Sequence, residues 1–176
     1  MEKHALQQFT GRFFHTALYK AVRNSAELRT RILRYEFDIA LIDPTLILDI
    51  FQVYTAVART LACEISGRLT TSNLHAELIF NLSGTRNVRD SLRDFGIKEN
   101  SQWVLLCVFD ANEDKLMAIE KLVDGECVSF SNRHAHHDAI NDKVVANHYR
   151  VSENELRHCS LLDAVVSKIA TKSWVK

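Results

Sequence analysis

The densest run of metal-capable side chains is Arg133-His134-Ala135-His136-His137-Asp138, three imidazoles and a carboxylate in one short stretch. A metal site needs ligands that converge from fixed positions and outer groups that orient them. This stretch reads as a loop before a helix, with no matching Cys or Glu pattern nearby, so a polar surface loop is favoured over a metal centre. Cys63, Cys107, Cys127 and Cys159 are far apart and form no Cys-x-x-Cys pair, so zinc and redox motifs are not supported. No Gly-x-Gly-x-x-Gly or Gly-x-x-x-x-Gly-Lys loop is present to cradle a phosphate, and no Ser lies in a Gly-x-Ser-x-Gly turn. Ser83-Gly84-Thr85 lies where an anion would meet a helix start, but capping by Ser83 or Thr85 explains it equally simply. Glu77 has no evident carboxylate partner. The expectation is a protein with no catalytic residue, no metal, no cofactor and no small-molecule substrate.

Two patterns suggest binding instead. Arg86, Arg89 and Arg93 are offset by three and seven residues, which puts them on one helix face. Asp90 neighbours Arg86 and Arg93, so part of that charge is internally paired. Such a stripe is either a solvated face, favoured on pattern alone, or a phosphate-contacting face with salt-sensitive binding. Near the C-terminus, Leu161, Leu162, Val165, Val166, Ile169 and Ala170 sweep about a half-circle at helical spacing, wider than the ~100° stripe of a one-sided surface helix. That width implies burial on two sides, one against the chain's own core, the other against the core again or a partner. Trp174 follows at the tail, a residue type common in interface hot spots.

The elements that must position these residues read as follows. Gly11 to Val22 predicts a first strand, Ser25 caps a short helix through Arg34, and Phe37 to Ile42 is extended. Asp43-Pro44 marks a turn or helix start. Asp49 to Ala62 predicts a helix apolar on most sides, leaving Gln52, Arg59 and a few small polar residues for water. Residues 75–84 (HAELIFNLSG) predict a core strand through Leu78, Ile79 and Phe80. A helix follows from Thr85 to Phe95, with Val88, Leu92 and Phe95 inward. Trp103 to Phe109 is a nearly continuous apolar run, the mark of a strand covered on both faces. A helix from Glu113 to Leu122, a strand from Glu126 to Phe130, a helix from Asp138 to Asn147 and a last helix from Ser152 or Glu153 to Lys172 complete the chain. The fold class is α/β (α+β), a single compact domain with one mixed sheet covered by helices and a long C-terminal helix.

Composition sets the outer bounds. The 176 residues are 47% hydrophobic and 25% charged, with five Gly and one Pro, which suits one folded domain rather than disordered chain. Lysine and arginine total 22 and aspartate and glutamate 22, so bulk charge does not drive nucleic-acid coating, although a local basic face remains open. No signal-like apolar segment or bilayer-spanning run occurs, and the scattered cysteines fit a reducing, intracellular compartment, with no membrane partner.

Three stretches in register carry a resemblance: EFDIALIDPTLILDIFQVYTAV (36–57), HAELIFNLSGTRNVRDSLRDFGI (75–97) and SLLDAVVSKIATK (160–172). Together they resemble the PRPK-binding protein (TPRKB) family, the small subunit of the KEOPS/EKC complex. The resemblance extends from about Gly11 to the C-terminus, giving a domain over 11–176 after an N-terminal extension of 1–10. It implies a chain without enzyme activity that binds the complex's kinase-like ATPase subunit (PRPK family) and works in the cytoplasm and nucleus. It also implies support for threonylcarbamoyladenosine modification of tRNA, with tRNA held near its 3′ end. On this resemblance Leu161, Leu162, Val165, Val166 and Ile169 become the kinase-facing surface, which the helix from Ile50 to Leu61 could share. Gly84-Thr85-Arg86 matches the family's Gly-x-Arg turn, and Arg86, Arg89 and Arg93 become the tRNA face. Residues 131–148 match the family poorly, and Ile50 stands where some relatives carry Pro. Other expectations from the residues alone are a self-contained RNA-binding module, a homodimer on the C-terminal helix, and an enzyme, which would need a deep pocket.

Overall fold

The structure, a computed structural model, describes residues 1–130 and 141–172. In chain order the elements are β1 (Glu2–Ala5), β2 (Phe13–Lys20), α1 (Ser25–Leu33), β3 (Ala40–Ile42), a short 3-10 turn (Pro44–Leu46), α2 (Ile50–Ile65), α3 (Leu74–Leu82) and α4 (Val88–Phe95). They continue as β4 (Val104–Phe109), α5 (Glu113–Glu120), β5 (Glu126–Val128), α6 (Asp142–Tyr149), α7 (Glu153–Leu156) and α8 (Leu161–Thr171). The described residues divide into two units: 1–44 with 96–130, and 45–95 with 141–172. The first holds all the named strands and the second the helices α2–α4 and α6–α8.

In the sheet unit the strand order is β1-β2-β4-β3, with β5 also paired to β2. The fold is α+β as expected, but the sheet is antiparallel at every described pairing and not mixed. The reason is topological. The connection through α1 makes β2 and β3 run the same way, which alone would give a parallel pair. β4 then enters between them in the opposite direction. In register, Thr16 faces Cys107 on one side of β4 and Ala40 faces Cys107 on the other. All six residues of β4 are buried, as the uninterrupted apolar run predicts. Alternate residues Ala17 and Tyr19 of β2, Leu41 of β3, and Val104, Leu106 and Val108 of β4 form one core with Leu28 of α1 and Ile119 of α5. The N-terminal residues Glu2–Ala5 are an edge strand of this sheet, tied to β2 where His4 Nε2 and Thr16 Oγ1 lie 2.7 Å apart.

The helical unit departs from expectation in several places. Residues 74–82 form α3, not a core strand. Asn73 starts it, its side chain accepting from the Ala76 N–H at 2.8 Å, and seven of its residues are buried. A helix buried nearly all round and a buried strand give the same unbroken apolar run. The C-terminal helix is two pieces rather than one long element. Ser152 and Glu155 form a capping box that opens α7, and Ser160 and Asp163 form a second that opens α8. A capping box satisfies the first-turn N–H groups of a new helix, so two boxes in succession make two starts. Finally, Leu92, expected inward on α4, is 40% exposed, while Ser91 and Phe95 are the buried residues there.

Candidate interaction surfaces

α2 is set by its cap. The Asp49 carboxylate accepts from the Phe51 N–H at 2.8 Å, and the 16 residues that follow rotate Val53, Ala56, Val57, Thr60 and Leu61 inward. Gln52, expected to meet water, is fully buried, and Phe51 beside it is 54% exposed. With Phe51, the residues Tyr54, Ala58, Ala62 and Ile65 follow steps of three and four and share one face over four turns. Tyr54 and Ala58 are half-buried, Ala62 is exposed and Ile65 is 70% exposed. The result is an apolar strip with two large residues at one end, a large one at the other and small ones between.

α8 packs against α2 and α6. Arg59 of α2 clamps the pair, donating through Nη1 to the Ala170 carbonyl at 3.0 Å and through Nε to Asn81 Oδ1 of α3 at 3.0 Å. This packing divides the five residues expected to face a partner. Val165 and Ile169 are fully buried in the chain's own core, whereas Leu161, Leu162 and Val166 are half-buried. The broad arc is therefore filled largely by α2 and α6, leaving its edge open.

The three arginines also divide. Arg86, in the turn before α4, and Arg89, on its first turn, are exposed and form no ion pair among the described residues. Arg93 bonds Asp90 Oδ1 through Nη1 and Asp94 Oδ1 through Nε, both at 2.8 Å. Those bonds raise its pKa further, Asp94 contributing most. The turn itself is built from side chains. Ser83 Oγ accepts from the Thr85 N–H and Thr85 Oγ1 from the Asn87 N–H, each at 3.1 Å. Asn87, not Ser83 or Thr85, caps α4, its Oδ1 accepting from the N–H groups of Arg89 and Asp90.

A buried polar chain fixes this turn. Gln52 Oε1 accepts from the Leu48 N–H, and its amide donates to the Leu46 carbonyl at 3.1 Å and to the Tyr149 hydroxyl at 2.9 Å. The Tyr149 hydroxyl in turn donates to the Leu82 carbonyl. Burial pushes the Tyr149 phenol far up, so it stays a donor. Tyr149→Phe leaves both the Leu82 carbonyl and one Gln52 N–H short of a partner. We expect it to cost about 1–3 kcal/mol in urea denaturation, more than Phe's unchanged ring would suggest. Glu77, which looked unpartnered in sequence, is buried and holds the 70–71 loop: its Oε2 accepts from the Thr70 N–H, the Thr71 N–H and the Thr71 hydroxyl at 2.7–2.9 Å.

The His134–Asp138 stretch and Trp174 lie outside the described residues. Among the described residues no group of three His, Cys, Asp or Glu is placed to hold a metal, and no helix is long and apolar enough to cross a membrane.

The family described as kinase binding protein CGI-121 matches residues 19–173. The chain belongs to this family. Among curated proteins it is 31% identical over 158 residues to the EKC/KEOPS complex subunit TPRKB of Danio rerio, covering 88% of each chain. It is 26% identical over 165 residues to the EKC/KEOPS complex subunit cgi121 of Schizosaccharomyces pombe, 91% of this chain and 93% of that one. A shorter match, 35% over 94 residues, relates 52% of this chain to 45% of the EKC/KEOPS complex subunit CGI121 of Coccidioides immitis. The family match spans α2, α4 and α8, so both surfaces lie on the shared part of the chain.

Proposed function

We propose that this chain is a non-catalytic subunit of the KEOPS/EKC complex that docks the complex's kinase-like ATPase subunit and helps to hold tRNA for threonylcarbamoyladenosine modification, in the cytoplasm and nucleus. The family's kinase-binding description and the KEOPS subunit names of the relatives support the partner. The observation that carries the docking surface is the exposed apolar face of α2, Phe51 to Ile65, on a helix whose opposite face is fully buried. The half-buried Leu161, Leu162 and Val166 of α8 are further candidates for the docking surface. Large apolar residues left at a surface in one row mark an interaction site. Arg86 and Arg89, exposed and without ion pairs among the described residues, support the tRNA-holding part, and they also allow a second reading, in which the chain binds RNA without the kinase.

The test is calorimetric titration into the purified kinase-like subunit of wild type and the Phe51→Asp, Ile65→Asp double variant. Both positions are exposed, so the variant keeps its circular dichroism spectrum and denaturation midpoint. Putting two carboxylates into an apolar contact weakens binding by at least about 100-fold. Equal affinities of the two proteins would remove α2 from the interface. No binding by folded wild type would remove the kinase-docking reading and favour the RNA module.

A further inference from the structure

A third exposed arginine stands beside the Gly84 turn. Gly84 lies so close to Tyr149 that a side-chain β-carbon would sit 3.1 Å from Cδ1 of the ring. The Tyr149 hydroxyl also holds the Leu82 carbonyl, so residues 82–86 and the end of α6 are fastened side by side. Arg150 follows directly. It closes α6 in the left-handed conformation, φ 53° and ψ 44°, with its N–H on the Asn147 carbonyl and the Val151 N–H on the Ala146 carbonyl. Glycine or asparagine is the usual residue there, because a β-carbon is strained at positive φ. Arg150 is exposed and forms no ion pair among the described residues. The left-handed turn is needed to close α6, but an arginine side chain is not, so what points to a ligand is the exposed guanidinium carried beside the Gly84 turn. Arg93, by contrast, is held by two aspartates.

We infer that Arg150 joins Arg86 and Arg89 in one RNA-phosphate-binding face assembled around the Gly84–Tyr149 contact, and that Arg93 is not part of it. The inference rests on the tRNA-holding reading and names residues for it. Arg86 and Arg89 come from the α3–α4 turn and Arg150 from α6, so their spacing is set by the packing of Gly84 on Tyr149 and not by a single helix. Three exposed guanidiniums without carboxylate partners among the described residues suit a polyanion whose charges recur along a backbone, since each contact releases condensed counterions.

The experiment is fluorescence anisotropy of a labelled tRNA transcript titrated with the full chain across a salt series, for wild type and for Arg86→Ala, Arg89→Ala, Arg93→Ala and Arg150→Gly. Glycine suits the left-handed position, so Arg150→Gly folds and melts no lower than wild type. We expect the slope of log affinity against log salt to fall by about 0.7–0.9 for Arg150→Gly, as for Arg86→Ala and Arg89→Ala, and to stay unchanged for Arg93→Ala. An unchanged slope for Arg150→Gly, with Arg86→Ala and Arg89→Ala both shifted, would overturn the role of Arg150 and leave the tRNA reading intact. Wild type without salt-dependent binding would overturn both.

Discussion

Val165→Asp unfolds the helical unit, and with it any activity that depends on that unit. Val165 is fully buried on α8, which packs against α2 and α6. The substitution removes about 1.5–3 kcal/mol of apolar burial. It also places a carboxylate at a fully buried position, which costs several kcal/mol more or forces the group to stay protonated. Together these exceed about 4 kcal/mol, a large part of the ~5–15 kcal/mol that holds a domain folded. Circular dichroism should show lost helix at neutral pH, and urea should unfold what remains at a much lower midpoint. Ile169→Asp, equally buried, should behave alike. Loss of partner binding in either variant would therefore reflect a damaged core and says nothing about the docking face. The contrast with Phe51→Asp is diagnostic, since a substitution at an exposed position is usually worth within about 0.5 kcal/mol. A Val165→Asp protein with the wild-type midpoint would mean that α8 does not pack as described.

The fold was legible where one physical signal dominated. β4 follows from an apolar run too short for a helix and bounded by polar residues, and α2 from a long run begun by Asp49. α3 was not legible, because Leu78, Ile79 and Phe80 are buried whether the segment is strand or helix. The deciding signal was Asn73, whose side chain supplies the helix start, and it stands ahead of the apolar stretch. The division of the C-terminal segment was available in principle. Ser160-x-x-Asp163 repeats the logic of Ser152-x-x-Glu155, but the apolar periodicity that continues through Leu161 and Leu162 obscures the second start.

The candidate surfaces were half legible for a related reason. Periodicity finds which residues share a face but not what covers that face. The arc Leu161 to Ile169 is real, and it is mostly occupied by the chain's own helices. Gln52 looked solvent-facing because amides usually are; its buried bonds to Leu46, Leu48 and Tyr149 come from residues up to 97 positions away. Exposure of Phe51 follows from that same rotation. Arg150 was invisible because its significance lies in a neighbour, the Gly84 turn, that only the folded chain brings close through Tyr149.

Lys172 gives the unit a stability that rises with pH above neutrality. It is 6% exposed at the end of α8, its Nζ donating to the Phe80 carbonyl and lying 3.3 Å from the centre of the Phe80 ring. The carbonyls in the last turn of α3 lack helix partners, so the amine serves as their cap. Burial, and then the nearby Arg59, pull its pKa down from 10.5 to about 7, against weaker opposition from Glu77 and Cys63. Between those pH values the unfolded chain holds a proton that the folded chain has released. Stability then increases with pH, by at most about 1.4 kcal/mol per pH unit, and the contribution is lost as pH falls through about 7. The clean window is pH 7.5–8.5. Near pH 9 and above, Cys107 and Cys127, whose thiols burial pushes up, act in the opposite sense, because only the unfolded chain gives up their protons. Lys172→Met keeps a similar unbranched side chain without the titrating amine. Urea unfolding at pH 7.5, 8.0 and 8.5 should show a rising midpoint for wild type and a flat one for Lys172→Met, so that the two lines converge or cross instead of running parallel. Parallel lines would mean that the amine keeps its ordinary pKa and meets water. Since Arg59 both depresses that pKa and clamps Ala170, Arg59→Met should weaken the clamp while flattening part of the same pH dependence, a pairing that a purely structural role for Arg59 would not produce.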